Sequence, residues 1–386
     1  MMSFKGIRVL VLEGYARQSL PVIRALKDKG CIVSVLCNSK IDIAYASRLP
    51  DYKIIGTCDP EQFEESVNCV RKLLEENKYD LVIPLVDFSE KILSENKEEF
   101  GRYAKLACND YQVFKKAQDK LSVMKVCMEN DIPCPKTLFD IENYEDVLHS
   151  DLMYPIVLKP RRDCGARGFQ KFDSKEEFLA FLEQRQINIK DYVVQEFIPQ
   201  DLQNLSGNLF VDNCGEVKSS FIYASYRWFP IKGGTGTFNV MTDDSEIKKH
   251  SEKLVKLMGL RGCCGVDFIK DPRDGVAKIL EINPRIMACA KIGFISGIDL
   301  VQQILEKEFG YDVSEMRAST RDIRVRMSQT DILWFLKSPD RFKAKPSFFS
   351  MKNTYDQTFS WDDPLPWFAF LFRGLKRYKT EMQRRG

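Results

Sequence analysis

The sequence predicts two fold classes in one chain: an open parallel α/β sheet at the N-terminus, then an α+β unit built on antiparallel sheets. Three observations carry this. Over residues 1–110 apolar strand-like runs alternate with amphipathic helical stretches, the pattern of an open α/β sheet with right-handed crossovers. Beyond Ile132-Pro133-Cys134-Pro135 the strand-like runs are joined by short turns, as antiparallel hairpins require. With 386 residues, 44% hydrophobic and 29% charged, the chain is long enough for two or three well-cored domains.

The elements follow in order. Ile7 to Leu12 is a β-branched and leucine-rich run, Gly14 follows it, and Ser19 to Lys29 has helical apolar spacing that ends at Gly30. Ile32 to Leu36 supplies the next strand, and a helix of mixed charge over Glu61 to Asn77 leads into Leu81 to Val86. That last run is continuously apolar, as parallel strands are when both faces are covered. Gly14 stands alone, with no glycine-rich nucleotide fingerprint around it, so this region is assigned a structural or substrate-shaping role. Asp119 to Asn130 reads as a helix ended by the two prolines, because a proline disfavours helical geometry in the residue before it. Strands are expected at Ile156 to Lys159, Tyr192 to Phe197, Leu209 to Asp212, Glu216 to Tyr226 and Val266 to Lys270, with a helix at Lys175 to Gln184. Asn213 to Gly215 and Asp271 to Gly275 are expected hairpin turns.

Composition excludes several classes. Lys+Arg 58 against Asp+Glu 55 leaves a net charge of +3, which argues against a nucleic-acid partner. No apolar run approaches the ~20 residues of a membrane-spanning helix, and the N-terminus lacks a signal-peptide core, so a cytoplasmic protein is expected. Twelve cysteines without a C-x-x-C pair read as reduced, mostly buried thiols. His149 and His250 are the only histidines and both fall in polar helical stretches, which disfavours a histidine-ligated metal or a Ser-His-Asp triad. Any chemistry must then run on carboxylates, lysines, arginines and backbone.

Three clusters could do so. Lys159 ends an apolar strand and precedes the loop Arg161-Arg162-Asp163-Cys164-Gly165-Ala166-Arg167-Gly168. Such a lysine beside exposed backbone N–H groups and arginines suits phosphate binding, or it is a solvated strand end. Glu281 and Asn283 lie two apart and so share a strand face, and Asp267 on a paired neighbour would add a third oxygen. That is a Mg²⁺ arrangement, or a set of edge carboxylates. Val193 to Pro199 is an apolar strand turning through a proline, which offers backbone donors to a flat base, or is simply a strand end.

Taken in order, Lys120 in Gln118-Asp119-Lys120, Lys159 in Tyr154 to Pro160, the glycine loop, Gln195-Glu196-Phe197-Ile198, Gly265-Val266-Asp267-Phe268 and Glu281-Ile282-Asn283-Pro284-Arg285 resemble the ATP-grasp superfamily. The resemblance is greatest to the branch with the carbamoyl phosphate synthetase large subunit and the carboxylate-amine ligases. It implies a pre-ATP-grasp α/β domain over 1–115, a small lobe with the glycine loop over 116–190, a large lobe with the metal site over 191–310 and a C-terminal extension over 311–386. It also implies roles. Lys120 and Lys159 would contact the α- and β-phosphates, and the loop with Arg161, Gly165, Arg167 and Gly168 would close over the γ-phosphate. Gln195, Glu196, Phe197 and Ile198 would bind adenine, largely through backbone, and Asp201 the ribose. Asp267, Glu281 and Asn283 would hold two Mg²⁺ (or Mn²⁺) ions, while Arg285 and Lys159 would serve catalysis and Arg285 would meet the substrate carboxylate or acyl phosphate. The loop is richer in arginine than in many relatives, and Asp267 stands where several have Glu.

The implied activity is ATP-dependent joining of a carboxylate to an amine through an acyl phosphate. Bicarbonate activation and a non-catalytic ATP-binding scaffold are the alternatives. Arg227, Lys232, Gly233 and Gly234, in the stretch Tyr226 to Thr237, are expected to border the acceptor pocket for an anionic substrate. A homodimer is compatible with the superfamily. Trp367 to Lys379, if helical, is basic and amphipathic, suited either to the inner membrane surface or to packing on the body. Residues 373–386 alone carry six Lys and Arg against one Glu.

Overall fold

A computed structural model describes residues 3–162, 168–185, 187–200, 203–231, 234–319 and 322–374. The first sheet comprises β1 (Arg8–Val11), β2 (Ile32–Cys37), β3 (Tyr52–Ile55), β4 (Leu81–Ile83) and β5 (Lys105–Leu106). All pairings are parallel and the order is β3-β2-β1-β4-β5. The chain therefore reverses its winding between β1 and β4. In an open α/β sheet, the crevice at the carboxyl ends beside such a switch is where ligands collect.

The second sheet is small and antiparallel: β6 (Ile156–Pro160), β7 (Gln170–Phe172) and β8 (Tyr192–Glu196) in the order β7-β6-β8. It owns a separate core of Ile156, Leu158, Phe172, Phe178 and Val194. The third sheet runs β13-β12-β9-β10-β11-β15-β16, with β14 beside β10. Its strands are β9 (Asn204–Val211), β10 (Val217–Phe229), β11 (Thr235–Thr242), β12 (Gly262–Lys270), β13 (Ala277–Asn283), β14 (Met316–Arg317), β15 (Arg324–Arg326) and β16 (Thr354–Asp356). One core continues from the first sheet into this one, joining Val9, Val33 and Ile83 to Phe210, Ile286 and Val325.

Three expected divisions change. β8 pairs with β6, so the small sheet extends past 190 to Glu196. The helix Lys120–Glu129 packs through Val123, Met124 and Cys127 against Leu209 and Ile279 and so belongs with the large sheet, not the small one. Residues 324–326 and 354–356 add two strands beyond β11, so 311–386 is no mere extension. Periodicity marks a strand but does not name its partner, which is why these divisions were not readable.

The described cysteines are free, and most are buried. Among the described residues no helix is long and apolar enough to cross a membrane. Residues 365–374 are helical, and the helix start is tied to the body: Trp367 Nε1 donates to Ser328 Oγ at 2.7 Å, and Arg373 lies over the Tyr15 ring at 4.4 Å. Residues 375–379 of the expected basic helix lie outside the described residues.

Candidate active site

β12 and β13 build the centre of the site. Asp267 lies directly opposite Glu281, and Gly265 opposite Asn283. Because facing residues in an antiparallel pair and residues two apart share a face, Asp267, Glu281 and Asn283 put their oxygens on one side. The pairing shifts just after Asp267, where Phe268 meets Ile279 and Leu280 is left over. Such a bulge bends the strand and re-aims side chains beside active sites. Gly265 has its own reason: a Cβ there would lie 2.4 Å from Met287 side-chain atoms, so a larger residue would displace Met287 from this turn.

Burial, and then the neighbouring Glu281, push the Asp267 carboxyl up to about 7. Asn283 Nδ2 donates to Asp267 Oδ2 at 2.9 Å, and Lys120 Nζ stands 3.3 Å from Glu281 Oε2. Two facing carboxyl groups, plus an amide oxygen, are the hard oxygen donors that Mg²⁺ prefers. The residues fit the ion. Among the described residues no group of three or more His, Cys, Asp or Glu side chains is arranged for a metal, so an amide has to complete this set.

The cations converge from two other elements. Asp119 caps the helix Lys120–Glu129 by accepting from Leu121 N at 3.1 Å. It also accepts from Arg161 Nε at 3.0 Å, while Lys120 N donates to Arg161 O at 3.1 Å. Arg161 thereby ties the end of β6 to the helix start and sets Lys120 beside Lys159. Lys159 donates to Gln195 Oε1 at 3.1 Å, and Gln195 Nε2 to Thr137 Oγ1 at 2.8 Å. Burial first, with Lys120 adding to it and Glu281 opposing, lowers the Lys159 ammonium to about 8.

The hinge out of β8 is braced by charge. Glu196 pairs with Arg273 at 2.6 Å and Lys278 at 3.4 Å, both on the β12–β13 hairpin, and accepts from Lys136 N. Its side chain is thus committed to joining the two antiparallel sheets. Phe197 N donates to Pro155 O at 3.0 Å, Ile198 is buried, and Gly168, at φ +63, sits against Pro160. Gly165, Arg167, Asp201, Lys232 and Gly233 lie outside the described residues.

The acceptor assignment of Arg227 is corrected. Arg227 is 1% exposed, its Nε and Nη2 each donate to Asp331 at 2.8 Å, and its Nη1 donates to Pro346 O at 2.9 Å. A guanidinium so occupied, inside the protein, does not meet a substrate. Gly234 closes the β10–β11 hairpin, where a Cβ would lie 2.1 Å from the Phe229 carbonyl carbon. Its lack of a side chain serves that turn.

Arg285 reaches into the first domain instead. Its Nε and Nη2 donate to Asp87 Oδ2 at 3.0 and 2.9 Å, and Nη2 to Asn283 Oδ1 at 2.8 Å. A cleft of ≈ 160 Å³ lies there, lined by Asp87, Phe88, Lys91 and Pro60 of the first domain and by Lys120, Glu281 and Asn283. Asp87 and Lys91 are the functional candidates that motif reading missed. A signal existed, since Asp87 directly follows the Leu81 to Val86 run at the carboxyl end of a parallel strand.

With this geometry in place, the class follows. Residues 117–289, a little under half of the chain, match the family model of the ATP-grasp domain. The chain is 26% identical over 249 residues to a D-aspartate ligase of Enterococcus faecium, covering 60% of this chain and 59% of that one. It is 22% identical over 195 residues to the carbamoyl phosphate synthase large chain of Methanobrevibacter smithii, covering 47% and 18%. The chain thus spans less than two thirds of the length of either relative. Its fold is similar to the biotin carboxylase domain of Hydrogenobacter thermophilus 2-oxoglutarate carboxylase, with TM-score 0.67, 17% identity, and 81% and 72% covered.

Proposed function

We propose that the protein is an ATP-dependent carboxylate-amine ligase whose acceptor is an amino acid. The observation that carries this reading is that Glu281, Asn283, Lys120 and Asp87 line one cleft, with Asp267 facing Glu281, Lys159 beside Lys120 and Arg285 bonded to Asp87. A carboxylate is a poor electrophile. Its oxygen attacks the γ-phosphorus of ATP, the bond to ADP breaks, and the acyl phosphate so formed is opened by the amine with release of phosphate. Phosphoryl transfer of this kind needs positioning and charge neutralisation, not a protein nucleophile.

Asp267, Glu281 and Asn283 would hold two Mg²⁺ ions, whose charge offsets that of the phosphates. Lys120 and Lys159 would move onto the phosphates, Lys120 leaving Glu281 as it does so. Arg285 and Asp87 suit an amino acid in particular. Arg285 can exchange Asp87 for the carboxylate of the substrate, and the Asp87 so released can accept from the ammonium. Lys91, on the same cleft, favours an acidic side chain, in keeping with the D-aspartate ligase relative.

ADP release from the purified protein, with Mg·ATP and a panel of carboxylates and amino acids, tests this. Release that requires one carboxylate and one amino acid together is expected. Release with bicarbonate alone would replace the reading by a bicarbonate-activating one, and no release with any pair, or undiminished release by Glu281→Ala, would end it.

A further inference from the structure

The corrected Arg227 leads to a second surface. The chain leaving the helix Ser328–Lys337 loops out and returns as β16, and buried charges pin this excursion down. Asp331, fully buried, accepts from Arg227 and from Arg326 Nε at 2.6 Å. In turn Arg227 Nη1 holds Pro346 O, and Arg326 Nη2 holds Phe348 O at 2.6 Å. Phe335, Phe342, Phe348 and Phe349 then stack on one another, with ring centroids 4.3–5.5 Å apart.

The braced lobe turns its apolar side chains outward. Phe342 is 73% exposed, Phe349 67%, Met351 66% and Leu336 63%. A soluble protein rarely holds so many large apolar groups in water on one short segment unless something covers them. The surrounding charge states what would. Residues 332–355 contain Lys337, Arg341, Lys343, Lys345 and Lys352 against the single acid Asp340, and of the five, Lys352 alone reaches a carboxylate among the described residues, Asp322 at 3.9 Å. A second copy of the chain would bring two such basic faces together, which like-charge repulsion opposes. An anionic lipid surface satisfies both features at once: rings and Leu and Met side chains enter the headgroup boundary while lysines meet lipid phosphates.

We propose that this aromatic and basic lobe, Leu336 to Lys352, is a docking surface for an anionic membrane. It stands apart from the cleft residues. The helix over 365–374 is anchored beside it, its Trp367 bonded to Ser328 at the start of the helix whose far end carries the lobe. That helix also leaves Leu365, Phe368 and Phe372 exposed, at 59%, 47% and 61%.

Co-sedimentation of the full chain with vesicles decides the matter, using pure phosphatidylcholine and phosphatidylcholine with about one third phosphatidylglycerol. The expected result is binding at least about tenfold tighter to the anionic vesicles, weakening as salt rises. Phe342→Ser with Phe349→Ser, and separately Lys343→Glu with Lys345→Glu, should each reduce that binding at least about tenfold, with ADP release and melting temperature unchanged. The proposal is overturned if the wild-type chain does not sediment with anionic vesicles, if it binds neutral ones equally, or if both double variants bind as the wild type does. It is overturned equally if the phenylalanine variant loses a dimer in size-exclusion chromatography while keeping its vesicle binding, since a second copy would then own the surface. ADP release reports on the ligase reading separately, so either can fail alone.

Discussion

Asp267 with Glu281, and Arg227 with Asp331, are two solutions to placing charge inside the same sheet, and they differ in what has been left unfinished. On β12 and β13 two carboxylates face each other, and burial and Glu281 raise the proton affinity of Asp267, so the folded chain keeps a repulsion that a bound cation would relieve further. On β10 the guanidinium meets its carboxylate through two bonds of 2.8 Å, both groups being 1% exposed or less. Nothing remains there for a ligand to do. An unfinished charge is therefore a better guide to a site than a charge itself.

Glu281→Ala should separate the two cases most sharply. Removing a group that holds charge in the transition state typically lowers turnover about 100- to 1000-fold, and ADP release should fall at least that far. The same change relieves Asp267, so the melting temperature should stay level or rise, as is common when a strained site is dismantled. A fall in stability would show that Glu281 is structural after all. Arg227→Ala should do the reverse. It leaves the buried Asp331 with Arg326 as its remaining cation, a loss of up to roughly 3–5 kcal/mol, and should lower the urea midpoint, while Arg227→Met combined with Asp331→Leu should recover part of it, since Arg326 keeps its bond to Phe348 O. Single and double variants of equal stability would contradict the pairing.

These contrasts also explain what the sequence could and could not reveal. The shared face of Glu281 and Asn283 was legible because its rule is local: the two are two apart on a strand. Lys159 was legible for a similar reason, as a cation at the end of an apolar run. Arg227 was misread because its partner lies 104 positions further on, and no period in the sequence connects them. The same blindness hid the partner of β8, a strand that was itself expected, and the strands β15 and β16, which are fixed by pairing across long intervals. Asp87 lay between these cases. Its place after a parallel strand was visible, but its bond to Arg285, 198 residues away, was not.

Glu90 offers a third way to accommodate charge, with neither a cation nor a ligand. It is 1% exposed, accepts from Asn109 N at 2.8 Å and Asn109 Nδ2 at 3.1 Å, and its carboxyl is raised by burial to about 8 from 4.5. Between those pH values the folded protein binds a proton that the unfolded chain releases. Its contribution is thus fully present below about pH 4.5 and is lost as pH rises toward 8. Glu90→Gln keeps a neutral acceptor for both donors and should make stability less pH-dependent, sparing roughly 2–4 kcal/mol of the loss between pH 5 and pH 8.5. Urea midpoints at the two pH values measure this, and parallel curves for the two proteins would show Glu90 to be ionised throughout.

The smallest effect expected is also the most informative about substrate. Asp87 and Arg285 form an ion pair like Arg227 and Asp331, but one whose Asp87 lines the cleft, with side chains 13% and 12% exposed. If the pair is exchangeable, Asp87→Asn should raise KM for the amino acid about tenfold, the ~1.4 kcal/mol of one charge-assisted hydrogen bond. The KM for ATP should hardly change, because Asp87 stands on the first domain and its bonds go to Arg285. Removing the ammonium from the substrate should then cost the wild type more than the variant. If instead Asp87 only holds Arg285 in place, the variant lowers kcat with every substrate and distinguishes none of them, and the pair belongs with the finished charges of β10.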